Sequence, residues 1–569
     1  EAEGRDLLAE MKAEQEAAEP FDLEPYRVDF DHPDFQLVEP EPLPPKPWST
    51  YLLALAVLLA VRLAAASVNI VHDCDEVFNY WEPLHRVVHG TGLQTWEYSA
   101  EFGLRSYLYI YLHAWAAVPG GALVQALRAA TGMAALPARA AEFYAVRGLL
   151  ALVSSLADAW LFSVTERAAG SIAGCMFVLQ AAFSAGMLAQ TTALLPSSLV
   201  CAALAASVAA AIDMYPRRAV VLASAGCIAA CWPFAGIACV WIGLWGCVNL
   251  EIRPCVAWTV GAACVVMAVG ALIDKQHYDR WLCAPLNLVK YNFAGGDSTL
   301  YGVEPFYFYL KNIFLNFSTV AWAAFCGAPI STFYVCTTGA FEWSIWPRAV
   351  WLSWTSTWTW FGVLSLLPHK EERFFTPVYS LMVLYSALGW ESLRRCLGSV
   401  GHRAAWVATL VAVALGLLRF AALCSNYGAP IAVYSALPEA RHGSEVLCVG
   451  DEWHRFPSSF FLPEGYEVAW VRESGGGMLP MPWDDSDVAP AHFNDRNEES
   501  PAQYVPLRKC TLLVDAKPRG DSGLAGKAGG RWVTLAEADF VDQPASSFLP
   551  RVLWVPRWLQ EATGMRNTY

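Results

Sequence analysis

Apolar residues in this chain fall into long unbroken runs, not into the alternation of half-buried strands. The runs 48–70, 103–118, 142–164, 170–191, 196–212, 219–250, 255–273, 313–336, 349–367, 374–390 and 404–424 have lengths suited to helices crossing a hydrocarbon layer of about 30 Å. The run 219–250 is interrupted at Trp232-Pro233 and reads as one pass or two. With further breaks near Pro119 and Pro196, the pattern predicts an all-α polytopic membrane protein of about 11–13 transmembrane helices. The membrane part extends over 48–425, with polar loops at 71–104, 274–312 and 368–373. Beyond it, residues 430–569 mix short strand-like runs, at 446–449 and 511–514, with Gly-rich turns such as 473–477. They predict a small C-terminal α/β or mainly β domain whose role the sequence does not disclose.

Composition supports this division: 56% of residues are hydrophobic, 16% are charged and mean hydropathy is +0.33. The net charge of −14 is uneven, because residues 1–47 carry 14 acidic side chains against Arg5, Lys12, Arg27 and Lys46. Eight prolines share that stretch, so it reads as a disordered cytosolic tail. It lacks a basic segment followed by an apolar core, so the first span is expected to serve as an uncleaved insertion signal. Nothing in the charge pattern points to nucleic acid. Most of the 16 cysteines lie in apolar runs and act as small hydrophobes. Cys448 and Cys510, in the C-terminal region, would pair if that region lay in an oxidising lumen.

Sidedness follows from Arg394, Arg395 and Arg403, which mark the loop between the last two spans as cytoplasmic. One pass in either direction then sets 368–373 and the C-terminal region on the luminal face, and Arg253 does the same for 274–312. A cytosolic tail would make 71–104 luminal too, provided the number of passes is odd. Counting the runs leaves that parity open between Arg105 and Arg218, where one segment must be split or re-entrant.

Two outliers carry the chemistry. The first is Asp73-Cys-Asp-Glu-Val-Phe-Asn-Tyr-Trp-Glu-Pro-Leu-His85, three acids in four residues at a membrane boundary, where each is costly unless it has a task. Asp73 with Glu76 has the spacing of a helix capping box, which accounts for one acid or two but not for three. Thr95-Trp-Glu-Tyr98 repeats the acidic and aromatic character, a combination suited to holding a sugar. The second outlier is Pro368-His-Lys-Glu-Glu-Arg-Phe374. Its charges would pair among themselves in an ordinary solvated turn, but cations are disfavoured on the luminal side, and Arg forks onto phosphate oxygens. The aromatic stretch 291–307 is equally compatible with anchoring at the interface. An acidic loop facing a cationic one suggests a site acting on a lipid-borne phosphate.

At these residues, together with Arg105-Ser-Tyr107, Tyr301-Gly-Val-Glu-Pro305 and Glu452-Trp-His-Arg-Phe-Pro-Ser-Ser459, the chain resembles the endoplasmic-reticulum mannosyltransferases of glycosyltransferase family 22. The likeness runs from about residue 48 to the end. It implies the GT-C fold, a multi-pass place in that membrane with a luminal active site, and dolichyl-phosphate mannose as donor. The members resembled most add the seventh and ninth mannoses, in α-1,2 linkage, to the dolichol-linked oligosaccharide. The resemblance implies Asp75 as catalytic acid-loop residue with Glu76 as alternate, and Asp73 as cap or orienter. His369, Lys370 and Arg373 would hold the donor phosphate. Trp81, Glu82, His85, Trp96, Glu97, Arg105, Tyr301 and Glu304 would contact acceptor or sugar.

The chemistry agrees. A β-linked mannosyl phosphate giving an α-mannoside requires inversion, hence one in-line displacement. The acceptor hydroxyl needs a base, which a carboxylate can supply. The leaving phosphate needs positive charge more than it needs a proton. No cofactor is called for and metal independence is expected, although Asp73 and Asp75 could share a divalent ion. A sister enzyme making α-1,6 linkages or acting on glycosylphosphatidylinositol precursors is the near alternative. A lipid or sugar transporter is the distant one, and it would be expected to carry ionisable groups at mid-membrane; Asp158 and Asp213 are the few acids in or near a span interior.

Overall fold

The computed structural model describes residues 47–294, 298–338, 346–440, 444–482, 489–517, 523–530, 532–560, 562–565 and 567–568. The acidic tail expected to be disordered therefore lies outside the described residues, save Pro47. Most of the rest is helix: α1 (Trp48–Val68), α2 (Glu82–His89), α3 (Tyr107–Ala130), α4 (Ala138–Ala169), α5 (Ser171–Phe183), α6 (Ala185–Gln190), α7 (Pro196–Ile212) and α8 (Pro216–Ala229) come first. After them come α9 (Val240–Leu250), α10 (Ile252–Tyr278), α11 (Ala284–Ala294), α12 (Phe308–Phe317), α13 (Thr319–Thr338), α14 (Trp346–Leu366) and α15 (Tyr379–Tyr427). Among the described residues six helical stretches, α3 among them, are by length and composition able to span a membrane, which makes this a multi-pass membrane protein. Prolines at the first turns of α7 and α8 start those helices where no backbone donor is needed.

Contacts give the direction of each helix. Thr50 Oγ1 donates to Glu166 Oε2 at 2.7 Å, whereas Arg147 donates to the carbonyls of Asn69 and Ile70 at 2.6 and 2.8 Å. So α1 and α4 are antiparallel, and Ala138 lies at the end of the bundle that carries the first loop. Tyr107 N, at the start of α3, bonds Asp274 Oδ1 (2.7 Å) at that same end. Yet Gly120 and Gly121 are still beside Ala145 and Glu142, so close that a Cβ on either would lie 2.7 Å from them. Thus α3 does not traverse the bundle; it lies along its loop-bearing face with Leu112, Trp115, Leu123 and Leu127 exposed, as an interfacial helix would. The run 103–118, expected as a span, is the segment that upset the parity.

The remaining helices alternate. Leu194 meets Glu76, Asp213 meets Arg167, Cys231 meets Leu104, Asp274 meets Ser106, and Arg395 meets Ala169. Helix α15 contains a reversal: Gly398 has φ +55°, and Gly401 is pressed against the Leu393 carbonyl, which a straight helix would keep two turns away. The two limbs of α15 match the separate spans expected at 374–390 and 404–424. Among the described residues, these contacts fix alternating directions for α1, α4, α5 with α6, α7, α8, α10 and the first limb of α15. All three polar loops and the C-terminal region gather at one end. The two acids inside the bundle are partnered: Asp158 with buried Arg62, and Asp213 with Arg167 and the Trp160 indole.

The C-terminal region is built on a parallel sheet in the order β3 (Tyr466–Trp470), β2 (Glu445–Val449), β5 (Leu512–Val514). A disulfide joins Cys448 to Cys510. The region is continuous with the membrane part. Strand β1 (Leu93–Gln94) of the first loop pairs with β4 (Met481–Pro482), and Phe78 packs among Trp453, Phe456 and Trp470 at 5.9–6.2 Å.

Candidate active site

The acidic loop begins where α1 ends. Asp73 has extended backbone and its Oδ1 accepts from Asp75 N at 2.9 Å, a helix cap. The expected reciprocal half of a capping box is missing, because Glu76 turns inward. Its Oε1 accepts from the Trp81 indole and from Leu194 N, both at 2.9 Å. A π-helical turn, Val77–Trp81, follows, and such turns often mark functional positions. Capped above and anchored below, the loop leaves Asp75 as its accessible acid, with a side chain 41% exposed.

Opposite stands the turn between α14 and α15. Arg373 lies in the short helix Glu372–Val378 and is 11% exposed. Its Nη1 is 2.5 Å from Asp73 Oδ1, its Nη2 is 2.6 Å from Asp75 Oδ2, and Nη2 also meets Glu371. Residues 298 positions apart thus form one cluster. Glu371 in turn accepts from His369 Nε2 at 2.7 Å. Burial pushes the Asp75 carboxyl up, but the cations of Arg373 and Arg105 outweigh it and hold Asp75 below the ordinary carboxylate range. Asp73 goes the other way, to about 7: its burial, with the charges of Asp75 and Glu371, exceeds the pull of Arg373. The hydrogen bond to Glu371 raises His369. Asp75, held below the ordinary carboxylate range, is ionised at neutral pH and can take a proton.

Farther along the first loop, Arg105 forks onto Glu97 at 2.9 and 3.1 Å and donates to the Tyr80 hydroxyl at 2.8 Å. Half-buried Trp96 meets Phe102 edge-on and lies 5.6 Å from the Tyr291 ring. These side chains line the same end of the bundle as Asp75.

Several expected contacts are corrected by burial. Trp81 and Glu82 are 0% exposed and His85 1%, so none offers a surface to substrate. Trp81 packs on Phe143 at 4.1 Å, Glu82 is fully hydrogen-bonded, and burial lowers His85 to about 3, which keeps its ring neutral. Glu76, the alternate acid, is sealed as described. Lys370 is also buried, and its Nζ donates to the Leu367 and Glu304 carbonyls at 2.5 and 2.8 Å. It braces two loops. Glu304 keeps an exposed side chain and contributes backbone to that brace; the Tyr301 side chain lies outside the described residues. Sequence reasoning passed over Glu371 and Tyr80. The i, i+2 spacing of His369, Glu371 and Arg373 was the available signal for the former.

The ligand atoms of Asp73, Cys74 and Asp75 lie within 4.8 Å of one another, a spacing a cation could use. The Arg373 guanidinium already bridges the two carboxylates from one side.

The bundle thus gathers a carboxylate, a forked guanidinium and aromatic side chains at one face of a membrane protein. The family described as Alg9-like mannosyltransferases matches residues 53–463, and the chain belongs to it. It is therefore a mannosyltransferase. It is 33% identical over 541 residues to the alpha-1,2-mannosyltransferase ALG9 of Mus musculus, covering 88% of this chain and 85% of that one. ALG9 of Arabidopsis thaliana is 33% identical over 90% of both chains, and ALG9 of Saccharomyces cerevisiae 26% identical over 89% and 92%. Among solved structures, ArnT from Cupriavidus metallidurans bound to undecaprenyl phosphate superposes with TM-score 0.47 at 11% identity, over 75% of this chain and 86% of that one.

Proposed function

We propose that this mannosyltransferase moves mannose from dolichyl-phosphate mannose to a mannose 2-hydroxyl of the dolichol-linked oligosaccharide, in α-1,2 linkage, at the seventh and ninth mannoses. Its place would be the endoplasmic-reticulum membrane with the site luminal, a compartment compatible with the Cys448–Cys510 disulfide. The observation that carries the reading is Arg373 bridging Asp73 and Asp75, which sets a general base beside a phosphate-binding cation. Asp75 takes the proton of the attacking hydroxyl. Donor phosphate competes with Glu371 for the Arg373 fork, and His369 adds charge against the leaving group. Release of Arg373 from Asp75 at that moment raises the basicity of Asp75 as the hydroxyl arrives. Trp96, Glu97 and Arg105 serve the acceptor side. No step requires a metal.

The test uses purified protein with dolichyl-phosphate mannose and a defined mannosylated lipid-linked acceptor, with and without chelator. Transfer in chelator, giving product sensitive to an α-1,2-specific mannosidase, is expected. Resistant product would point to an α-1,6 or other sister activity, and absence of transfer would overturn the reading.

A further inference from the structure

The motif Glu452-Trp-His-Arg-Phe-Pro-Ser-Ser459 has no part in the chemistry above, yet it ends against the first loop. Glu82, nine residues after Asp73, is 0% exposed and has no cation among its hydrogen-bond partners. Its Oε1 accepts from Ser458 Oγ at 2.9 Å and from Ser459 N at 2.7 Å. Its Oε2 accepts from Ser459 Oγ at 2.7 Å and from Leu93 N at 3.0 Å. Four donors from two separate pieces of chain thus converge on one buried carboxylate. Such a group is tolerable only while all of them stay in place.

Ser458 has φ +150° and ψ +158°, a region that glycine enters freely and other residues avoid. The strain is held by its hydroxyl, which bonds Glu82 and also caps Phe460 N. Glycine would relieve the backbone but would remove that hydroxyl. Around this point Phe460 packs edge-on against Trp81 and His85 at 5.8 and 4.9 Å. Trp81 is the end of the π-turn and bonds Glu76, the neighbour of Asp75. A continuous series of contacts therefore leads from Ser459 through Glu82 and Trp81 to the acidic loop. None of these residues lies on the His369–Arg373 turn.

We propose that Ser458 and Ser459 form a latch on Glu82 that positions Asp75, so that the C-terminal region sets the rate of transfer without contacting the donor. Glu82, Ser458 and Ser459 are positioning residues. The inference rests on the assignment of Asp75 as base, and the wild-type protein in the same assay tests that assignment's setting: if wild type transfers no mannose, the functional reading fails, not the latch.

Full-length Ser459→Ala, Ser459→Thr, Glu82→Gln and the Ser459→Ala/Glu82→Gln double variant would be assayed for kcat and donor KM per folded molecule. Glu82→Gln turns an acceptor into a donor facing donors, and a displacement near 1 Å in an active site lowers rates by up to about 100-fold. Expected are a kcat about 10-fold lower for Ser459→Ala and at least as low for Glu82→Gln, with donor KM within about 2-fold of wild type. Ser459→Thr, which keeps both donors, should restore most of the rate. The double variant should be no slower than Glu82→Gln alone. If Glu82→Gln does not fold, the Ser459→Ala and Ser459→Thr pair decides. Wild-type kcat in Ser459→Ala, or a Ser459→Thr as slow as Ser459→Ala, would overturn the proposal.

Discussion

At the scale of single residues, the acidic loop divides labour among acids that look alike. Asp73 caps and is driven up, Glu76 is sealed, and Asp75 is the most open of the three, sharing Arg373 with Asp73. Asp75→Asn should therefore lower turnover by about 1000-fold or more while donor binding stays within a few-fold, measured by single-turnover transfer and donor titration. Near-normal turnover would remove Asp75 as base. His369 supplies a pH signature. Hydrogen bonding to Glu371 raises its pKa, so its charge persists to higher pH than that of a free imidazole and is lost as pH rises through the folded value, and donor affinity should fall on the alkaline side. Because Glu371 is the leading cause, Glu371→Gln should move that limb to lower pH in a profile of donor kcat/KM. An unmoved limb would separate His369 from donor binding. The motifs exposed Asp75 and Arg373 because charge at a membrane boundary is conspicuous at any fold. The backbone bonds of Lys370 were not legible because they depend on two carbonyls that only tertiary structure brings near.

At the scale of elements, the same limit shows in α3. Hydropathy registers that a run is long and apolar, but not whether it crosses a layer or lies on it. Only the closeness of Gly121 to Glu142 and of Tyr107 to Asp274 decides that. The tips of the bundle were legible because Arg394 and Arg395 are visible as a cationic pair. The reversal at Gly398 was implied by the polarity of the flanking runs. Lys370 gives the element-scale prediction. Lys370→Met removes the ammonium that the partly buried Leu367 and Glu304 carbonyls share. It should thus lower the thermal midpoint of the purified protein while donor KM per folded molecule changes little. A large rise in donor KM at unchanged stability would instead return Lys370 to the phosphate site.

At the scale of the whole molecule, alternating helices set the first loop, the α3–α4 turn and the C-terminal region on one face. A glycosylation sequon placed at 132–134 should be modified in microsomes, as should one in the C-terminal region, and one placed at 398–400 should not. Modification at 398–400 alone would invert the assignment. The C-terminal region was the least legible part. Its short strands are visible as apolar runs, but nothing local signals that Ser458 and Ser459 answer a carboxylate far upstream. That separation also has a temporal side. Glu82 leaves the ribosome 376 and 377 residues ahead of the two serines that complete its shell. Throughout that interval the nascent chain has its membrane helices but an unfinished catalytic loop, and contacts closed over so long a stretch of sequence form late. Until those serines emerge, the Glu82 carboxylate lacks three of its four hydrogen-bond donors.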